Sequence, residues 1–527
     1  EPLLRHIGFQ FEDADVRFLK TMPHISKGAG YATIEGNVFT LAMEQGGIIA
    51  PKGGMLDLTG STMSIADITQ KPATARFDLD GSGTATSLIS LLNQPPFKIL
   101  KNGGLPVDFV SAKIGLNGVL SLPLQKKVQM EDLDYDFSGT LEDVSSDVLV
   151  PDRRLEADTL ALTADKERVE ITGPMSLGTA RGDATWRQDM GPEFAGQHKV
   201  TGTVELSQGF LDEFGIDFPE NTVRGTNDAP FELRFVKDTA PQFQLSSDLQ
   251  GLRLSIAEIG WNKSANAKGN LTVKGRLGTP PKIDGVELVA PGLTATGGSV
   301  TLNANSSFNA AQFSRVKAGD WLDASVVLTA RGTGRAPAIS VKGGTLDIRK
   351  TSFGGGGKRS RAGGSPMTLS LDRVIVSQGI ALTGFEAALQ NSGGLSGDFT
   401  ARLNGGTRLS GELAPAANGV AVRVRSANAG GIANTAGILT NVVGGSLDMT
   451  LRPQKQSGVY DGQLTVRNTR VVRTNTMAEL LNAMSIVGLL DEMNGQGIAF
   501  SEIDAGFTLT PNTVRLNQSS AVGPSLE

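Results

Sequence analysis

The sequence has no cysteine, and among its 527 residues only three are tryptophan, three tyrosine and three histidine. Each scarcity excludes a class of chemistry. Without cysteine there can be no disulfide framework, thiolate zinc site, iron–sulfur cluster or cysteine nucleophile. The histidines, His6, His24 and His198, are far apart, and neither an H-x-x-x-H pair nor a G-x-S-x-G elbow occurs. So few tryptophans and tyrosines supply no platform for stacking sugars or bases, nor the aromatic girdles of an outer-membrane barrel. A net charge of −5 argues against general nucleic-acid binding. No apolar run reaches the roughly 18 residues of a membrane-spanning helix.

What is abundant is glycine, 66 residues, in a chain that is 39% apolar. The glycine follows no three-residue period, which excludes collagen, and the apolar content is too high for a disordered chain. One texture repeats almost throughout. Five to eight residues alternate between apolar and polar, a Gly, Asn or Asp turn follows, and another alternating run begins. Leu369 and Leu371 alternate with Ser370 and Asp372. Phe399, Ala401 and Leu403 alternate with Thr400 and Arg402. Val422 and Val424 alternate with Arg423 and Arg425, and Leu447, Met449 and Leu451 with Asp448, Thr450 and Arg452. Phe231, Leu233 and Phe235, and then Leu252, Leu254 and Ile256, do the same. Period two puts one side-chain set on each face of a strand, and one wet face indicates antiparallel pairing. Asp80-Gly81, Asn117-Gly118, Asn404-Gly405, Asn418-Gly419 and Asp461-Gly462 read as hairpin turns, so the glycine excess reads largely as turn chemistry. Repeated through the chain, this texture predicts on the order of 35–40 strands.

Helical patterns are few: 86–92, stopped by Pro95-Pro96, then 207–214, 429–443 and, most clearly, 476–493. In the last, Thr476 and Glu479 fit a capping box, and Met477, Leu480, Leu481 and Met484 form a stripe at helical spacing. The segment 353–366 reads as a flexible loop. Its Gly354-to-Arg359 stretch lacks the Ser or Thr and the following helix of a phosphate loop. Asp132, Asp134 and Asp136 start like a calcium loop, but Phe137 stands where glycine is needed and Asp143 where glutamate is needed. With Leu133, Tyr135 and Phe137 between them, they read better as the acidic outer face of a strand. No metal or cofactor site is expected. Charge is uneven: 331–475 has 18 Lys+Arg against 7 Asp+Glu, and 131–170 has 13 acids against 4 bases. Solvated strand faces account for both. The basic section could also face anionic head groups, and the acidic one is the sole candidate for a solenoid enzyme such as a polysaccharide lyase.

Such a sheet must hide its apolar face. A second sheet, a solenoid coil and an open trough are all solutions. The positions are mostly Leu, Val, Ile and Ala, a smooth aliphatic lining that suits acyl chains.

The C-terminal stretch carries a more specific signal. It runs Gly444-Gly445-Ser-Leu447-Asp448-Met449, then Gly462-Gln-Leu464-Thr-Val466-Arg-Asn468. After the apolar helix come Gly495-Gln-Gly497-Ile498-Ala-Phe500, Phe507-Thr-Leu509 and Ala521-Val522-Gly523-Pro524-Ser525. This order resembles the C-terminal region of AsmA-like proteins, most closely the YhdP branch, with TamB more distant. Gly30-Tyr31-Ala-Thr-Ile34 and Gly36 to Leu41 resemble the central region of the same branch. The likeness is good over the last 110 residues or so, fair over the first 100 and textural between.

The resemblance implies a mainly β fold: an elongated, twisted antiparallel sheet curled into a hydrophobic groove, with a few short helices. It implies a repetitive β-groove over 1–427 and an AsmA-like C-terminal region over 428–527, its last strand cut at Glu527. It also implies a periplasmic location in a Gram-negative envelope, with an inner-membrane anchor that this stretch does not include. The expected function is non-enzymatic, bridge-like phospholipid transport between inner and outer membranes, with no catalytic residue. The expected lining is Leu369, Leu371, Phe399, Leu403, Val422, Val424, Leu447, Met449, Leu451, Leu464, Val466, Phe507 and Leu509. The main alternative is a structural or adhesive β-repeat envelope protein with a closed, dry core.

Overall fold

The computed structural model describes residues 6–17, 21–95, 97–100, 104–126, 128–216, 218, 222–256, 259–332, 335–351, 364–392, 394–456, 458–472, 497–510 and 513–524. The expected helix over 476–493 and residues 353–363 of the glycine-rich segment lie outside these. The chain is mainly β, 65% strand against 6% helix, so its core is made by sheet faces. It divides into two units: Glu1–Asp217 with Gly225–Asp248 and Lys274–Gly278, and Phe218–Arg224 with Leu249–Val273 and Thr279–Glu527.

In the first unit, strand His6–Val16 pairs with Ile25–Glu35, and that with Val38–Ile49. Two short strands, Met55–Asp57 and Thr62–Ile65, lead to Thr74–Thr84. The antiparallel ladder then runs through Ser111–Pro123, Asp134–Val150, Arg153–Asp165, Arg168–Leu177, Ala180–Asp189, Gln197–Leu206 and Asn227–Val236 to Gln242–Ser247.

Strands are fewer and longer than the alternating runs suggest. There are 32 among the described residues, and Asp134–Val150 reaches 17 residues. Three of the five expected turns, Asp80-Gly81, Asn117-Gly118 and Asp461-Gly462, lie inside strands. In two of them the glycine is opposite a phenylalanine, Gly118 opposite Phe137 and Gly462 opposite Phe507, and the ring occupies the space a Cβ would need. Asn404-Gly405 does turn the chain, at φ +44° and +78°, and Asn418-Gly419 lies at the reversal between Arg408–Ala416 and Gly419–Ser426. The glycine excess is therefore partly turn chemistry and partly a packing requirement inside strands.

The helix Ala85–Leu92 begins with a reciprocal cap: Thr84 Oγ1 accepts from Ser87 N at 3.0 Å and Ser87 Oγ accepts from Thr84 N at 3.1 Å. Its Ser90 hydroxyl donates to Lys52 O at 2.8 Å. Leu91 packs with Met22, Ile48, Leu56 and Leu58, and Ala85 with Ala112, Val144 and Leu160. The helix thereby packs against the sheet through both apolar clusters. Ser207 caps Gln208–Glu213 through Phe210 N.

The second unit holds a small sheet of Val223–Arg224, Arg253–Ile256 and Trp261–Lys263. There the buried Lys263 ammonium donates to the carbonyls of Leu249, Leu252 and Ser264 at 2.6–3.1 Å. Its main ladder runs from Lys282–Ala290 through Leu293–Leu302, Phe308–Ala318, Leu322–Thr329 and Ala338–Asp347 to Pro366–Ser377. It continues through Ile380–Asn391, Leu395–Leu403, Arg408–Ala416, Gly419–Ser426, Val442–Pro453, Tyr460–Val471 and Ile498–Leu509 to Val514–Val522.

One pair breaks the antiparallel order: Ala338–Asp347 lies parallel to Pro366–Ser377. Parallel neighbours need a crossover of a dozen or more residues, and 348–365 is long enough to be one. The helical pattern over 429–443 ends early. The helix is Ala429–Thr435, capped by Asn428 Oδ1 on Gly431 N at 2.8 Å. Val442 then opens a strand opposite Val471, because pairing outweighs a helical tendency weakened by Gly430, Gly431 and Gly437. The boundary expected at 427/428 falls between strand Gly419–Ser426 and this helix, within the second unit.

Candidate functional site

Residues directly opposite one another in a sheet share a face, so register decides which of the alternating residues form one surface. In the second unit a row runs Val286, Gly298, Phe313, Val326, Val341, Leu369, Ala387, Phe399, Gly411, Val424, Met449, Leu464, Ala505, each paired with the next. Thirteen strands contribute and none places a polar side chain in it. At about 4.8 Å per strand the row is ~58 Å along the sheet.

A second row lies two residues along the strands, from Met367 and Leu389 through Gly397, Leu413, Val422, Leu451 and Gly462 to Phe507 and Leu516. Leu447, Val466 and Ile503 begin a third, and Leu509 pairs with Tyr460. Leu371 is opposite Phe385 and Leu403 opposite Leu382, on the same face. All thirteen expected lining residues thus point to one side.

They differ in cover. Leu371, Phe399, Leu403 and Phe507 are buried. Phe399 stacks on Phe385 with ring centroids 5.4 Å apart, and Ile432 and Ala436 pack against the same cluster. Leu369, Val422, Val424, Leu447, Met449, Leu451, Leu464, Val466 and Leu509 are only half-buried.

The opposite face of the second unit is polar and cross-linked. Arg315 pairs with Asp323 at 2.6 Å, Arg425 with Glu412 at 3.2 Å, Arg423 with Asp448 at 2.5 Å and Arg467 with Glu502 at 2.9 Å. Hydrogen bonds from these arginines hold the carboxyls of Asp323 and Asp448 below their ordinary range. Three bases of the 331–475 section, Arg423, Arg425 and Arg467, are thus engaged with acids on neighbouring strands.

In the first unit an analogous row runs Leu116, Gly139, Leu162, Ile171, Trp186, Val200, Leu233, Phe243. His198 is half-buried there, stacked on Phe235 at 4.4 Å with Trp186 at 6.0 Å, and burial pushes its imidazole pKa down. Sequence reasoning missed this aromatic group. The signal was available, since His198 alternates with Val200 in one strand. The acidic 131–170 section forms exposed pairs, Lys113–Asp143 at 2.7 Å, Arg154–Glu156 at 2.8 Å and Lys166–Asp134 at 3.4 Å. Asp132 sits in a short 3₁₀ turn, accepting from Gln129 N, ahead of the strand that carries Asp134 and Asp136.

Among the described residues no helix is long and apolar enough to cross a membrane, and no group of His, Asp and Glu could hold a metal ion. No known family, curated protein or solved structure matches this chain.

Proposed function

We propose that the chain is a non-enzymatic carrier of phospholipids, holding acyl chains on the apolar face of its sheet while head groups stay in water. One observation carries this reading: a thirteen-strand row with no polar side chain, flanked by other apolar residues on the same face, whose members from Val424 onward are half-open to solvent. An exposed aliphatic surface of this extent needs an occupant. Burial is worth about 0.8 kcal/mol per methylene, so tails rather than head groups would hold the lipid. A lining continuous across the strands would let a tail shift from one strand to the next without entering water. The resemblance to AsmA-like proteins of the YhdP branch supports the same function, in the periplasm and between inner and outer membranes.

The test is native mass spectrometry of the purified chain beside Leu451→Asp and Met449→Asp. Both positions are half-buried, so a charge there can reach solvent and leave the sheet folded. Bound phospholipid on the wild type, lost in both variants at unchanged circular dichroism, supports the carrier. A wild type carrying no lipid favours the closed-core structural protein.

A further inference from the structure

We propose that Gly298, Gly411 and Gly462 set the depth of the acyl track by letting aromatic rings lie flat across it. This rests on the carrier reading above. Each glycine is directly opposite a phenylalanine on the neighbouring strand: Gly298 opposite Phe313, Gly411 opposite Phe399, Gly462 opposite Phe507. A Cβ on Gly298 would lie 2.6 Å from Phe313 Cε1. On Gly411 and Gly462 the ring atoms of Phe399 and Phe507 would be closer still. The rings therefore lean along the sheet into the room the glycines leave.

The alternative placement is upright. Any side chain at the glycine position would push the ring away from the sheet and into the space above the apolar face. Glycine inside a strand weakens it and asks for a reason, and an aromatic neighbour covering it is a known compensation. That compensation alone explains stability. Like pairs occur in the first unit, Gly118 with Phe137 and Gly30 with Phe11, but compensation does not explain why all three pairs of the second unit lie in the two rows that form its longest apolar surface, or why few other residues there exceed leucine in bulk. Phe399 and Phe507 are accordingly buried and Phe313 half-buried, so the rings add little height to the face, and a bulky chain can follow it as readily as a straight one.

The test uses the full chain with Gly462→Ala, Phe507→Leu and the double variant F507L/G462A. The probes are two phosphatidylglycerols, one dipalmitoyl and one with a pyrene-labelled acyl chain. Wild type takes up both. G462A is expected to keep the dipalmitoyl lipid and lose the pyrenyl one by about tenfold or more, the equivalent of roughly two unburied methylenes. F507L/G462A, in which a shorter side chain vacates the Cβ space, is expected to restore the ratio. An unchanged ratio in folded G462A overturns the assignment while leaving the carrier intact. If G462A does not fold, recovery of folding in the double variant supports the flat ring, and no recovery overturns it. A wild type that takes up neither probe overturns the carrier reading itself.

Discussion

Asp448 accepts two hydrogen bonds from Arg423, Nε at 2.9 Å and Nη2 at 2.5 Å, on the face opposite its chain neighbour Met449. The two adjacent residues thus belong to different environments: one to an ion-pair ladder, the other to the apolar row. The ladder fixes the register of the strands that carry the row, since a one-residue slip would bring Met449 out and Asp448 in.

Asp448 is accordingly expected to stabilise the sheet modestly and in a pH-dependent way. Its folded pKa is lowered by the hydrogen bond from Arg423. Its contribution is therefore present above the unfolded value of 3.8 and is lost as pH falls through the folded pKa. Asp448→Asn should cost about 0.2–1 kcal/mol at neutral pH, because the pair is partly solvated. It should cost progressively less as the pH falls below 3.8 and as salt rises. Urea unfolding of both proteins at two pH values and two salt concentrations checks this.

The two kinds of apolar position should respond differently to truncation. Leu371 is 2% exposed and sits in the main cluster, so Leu371→Ala should cost about 2–5 kcal/mol. Leu464 lies in the open part of the row and already meets solvent, so Leu464→Ala should cost about 1 kcal/mol or less. If the carrier reading holds, only the second should act mainly on lipid occupancy. Equal losses of stability would mean that the face is closed at Leu464 as it is at Leu371.

The alternation of Leu447, Met449 and Leu451 with Asp448, Thr450 and Arg452 was enough to place these residues on opposite faces, and the same held for every expected lining position. Register was not legible. Nearly every strand carries the same period-two pattern, so nothing local says that Val424 meets Met449 or that Arg425 meets Glu412 thirteen residues earlier. The parallel pair Ala338–Asp347 and Pro366–Ser377 was hidden for a related reason: alternation does not encode direction. Gly462 was misread because Asp-Gly has the conformational freedom of a turn whether or not the chain turns there. What holds it in a strand is Phe507, 45 residues away.

His198 should make the first unit sensitive to mild acid. Its imidazole lies between Trp186 and Phe235, and burial lowers its pKa from 6.5. The folded state therefore disfavours the proton that the unfolded chain accepts. Above pH 6.5 the residue adds no pH dependence. Below it, stability falls until pH passes the folded pKa. His198→Phe keeps the stacking and removes the proton site, so its melting temperature should decline less than that of wild type between pH 7.5 and pH 5. An equal decline would assign the acid sensitivity to other groups.

Two identical dipeptides give the sharpest contrast. Asn404-Gly405 is a true turn: both residues have positive φ, and Asn404 Nδ2 donates to Gly379 O at 2.8 Å and to Thr435 O at 3.2 Å, tying the turn to the end of a helix. No atom lies near a Cβ placed on Gly405. Gly405→Ala should therefore cost only the backbone penalty of a left-handed alanine, about 1 kcal/mol. Asn117-Gly118 is in mid-strand, where a Cβ on Gly118 would meet both the Asp136 carbonyl and the Phe137 ring. Gly118→Ala should cost about 1–3 kcal/mol or more from overpacking. Pairing it with Phe137→Leu should recover part of that loss, because the ring is half of the clash. The same double substitution at Gly405 has no ring to remove, so F137L should leave the cost of G405A unchanged. Thermal melts of the two cycles decide whether the strand glycines are held by their aromatic partners or by backbone conformation alone.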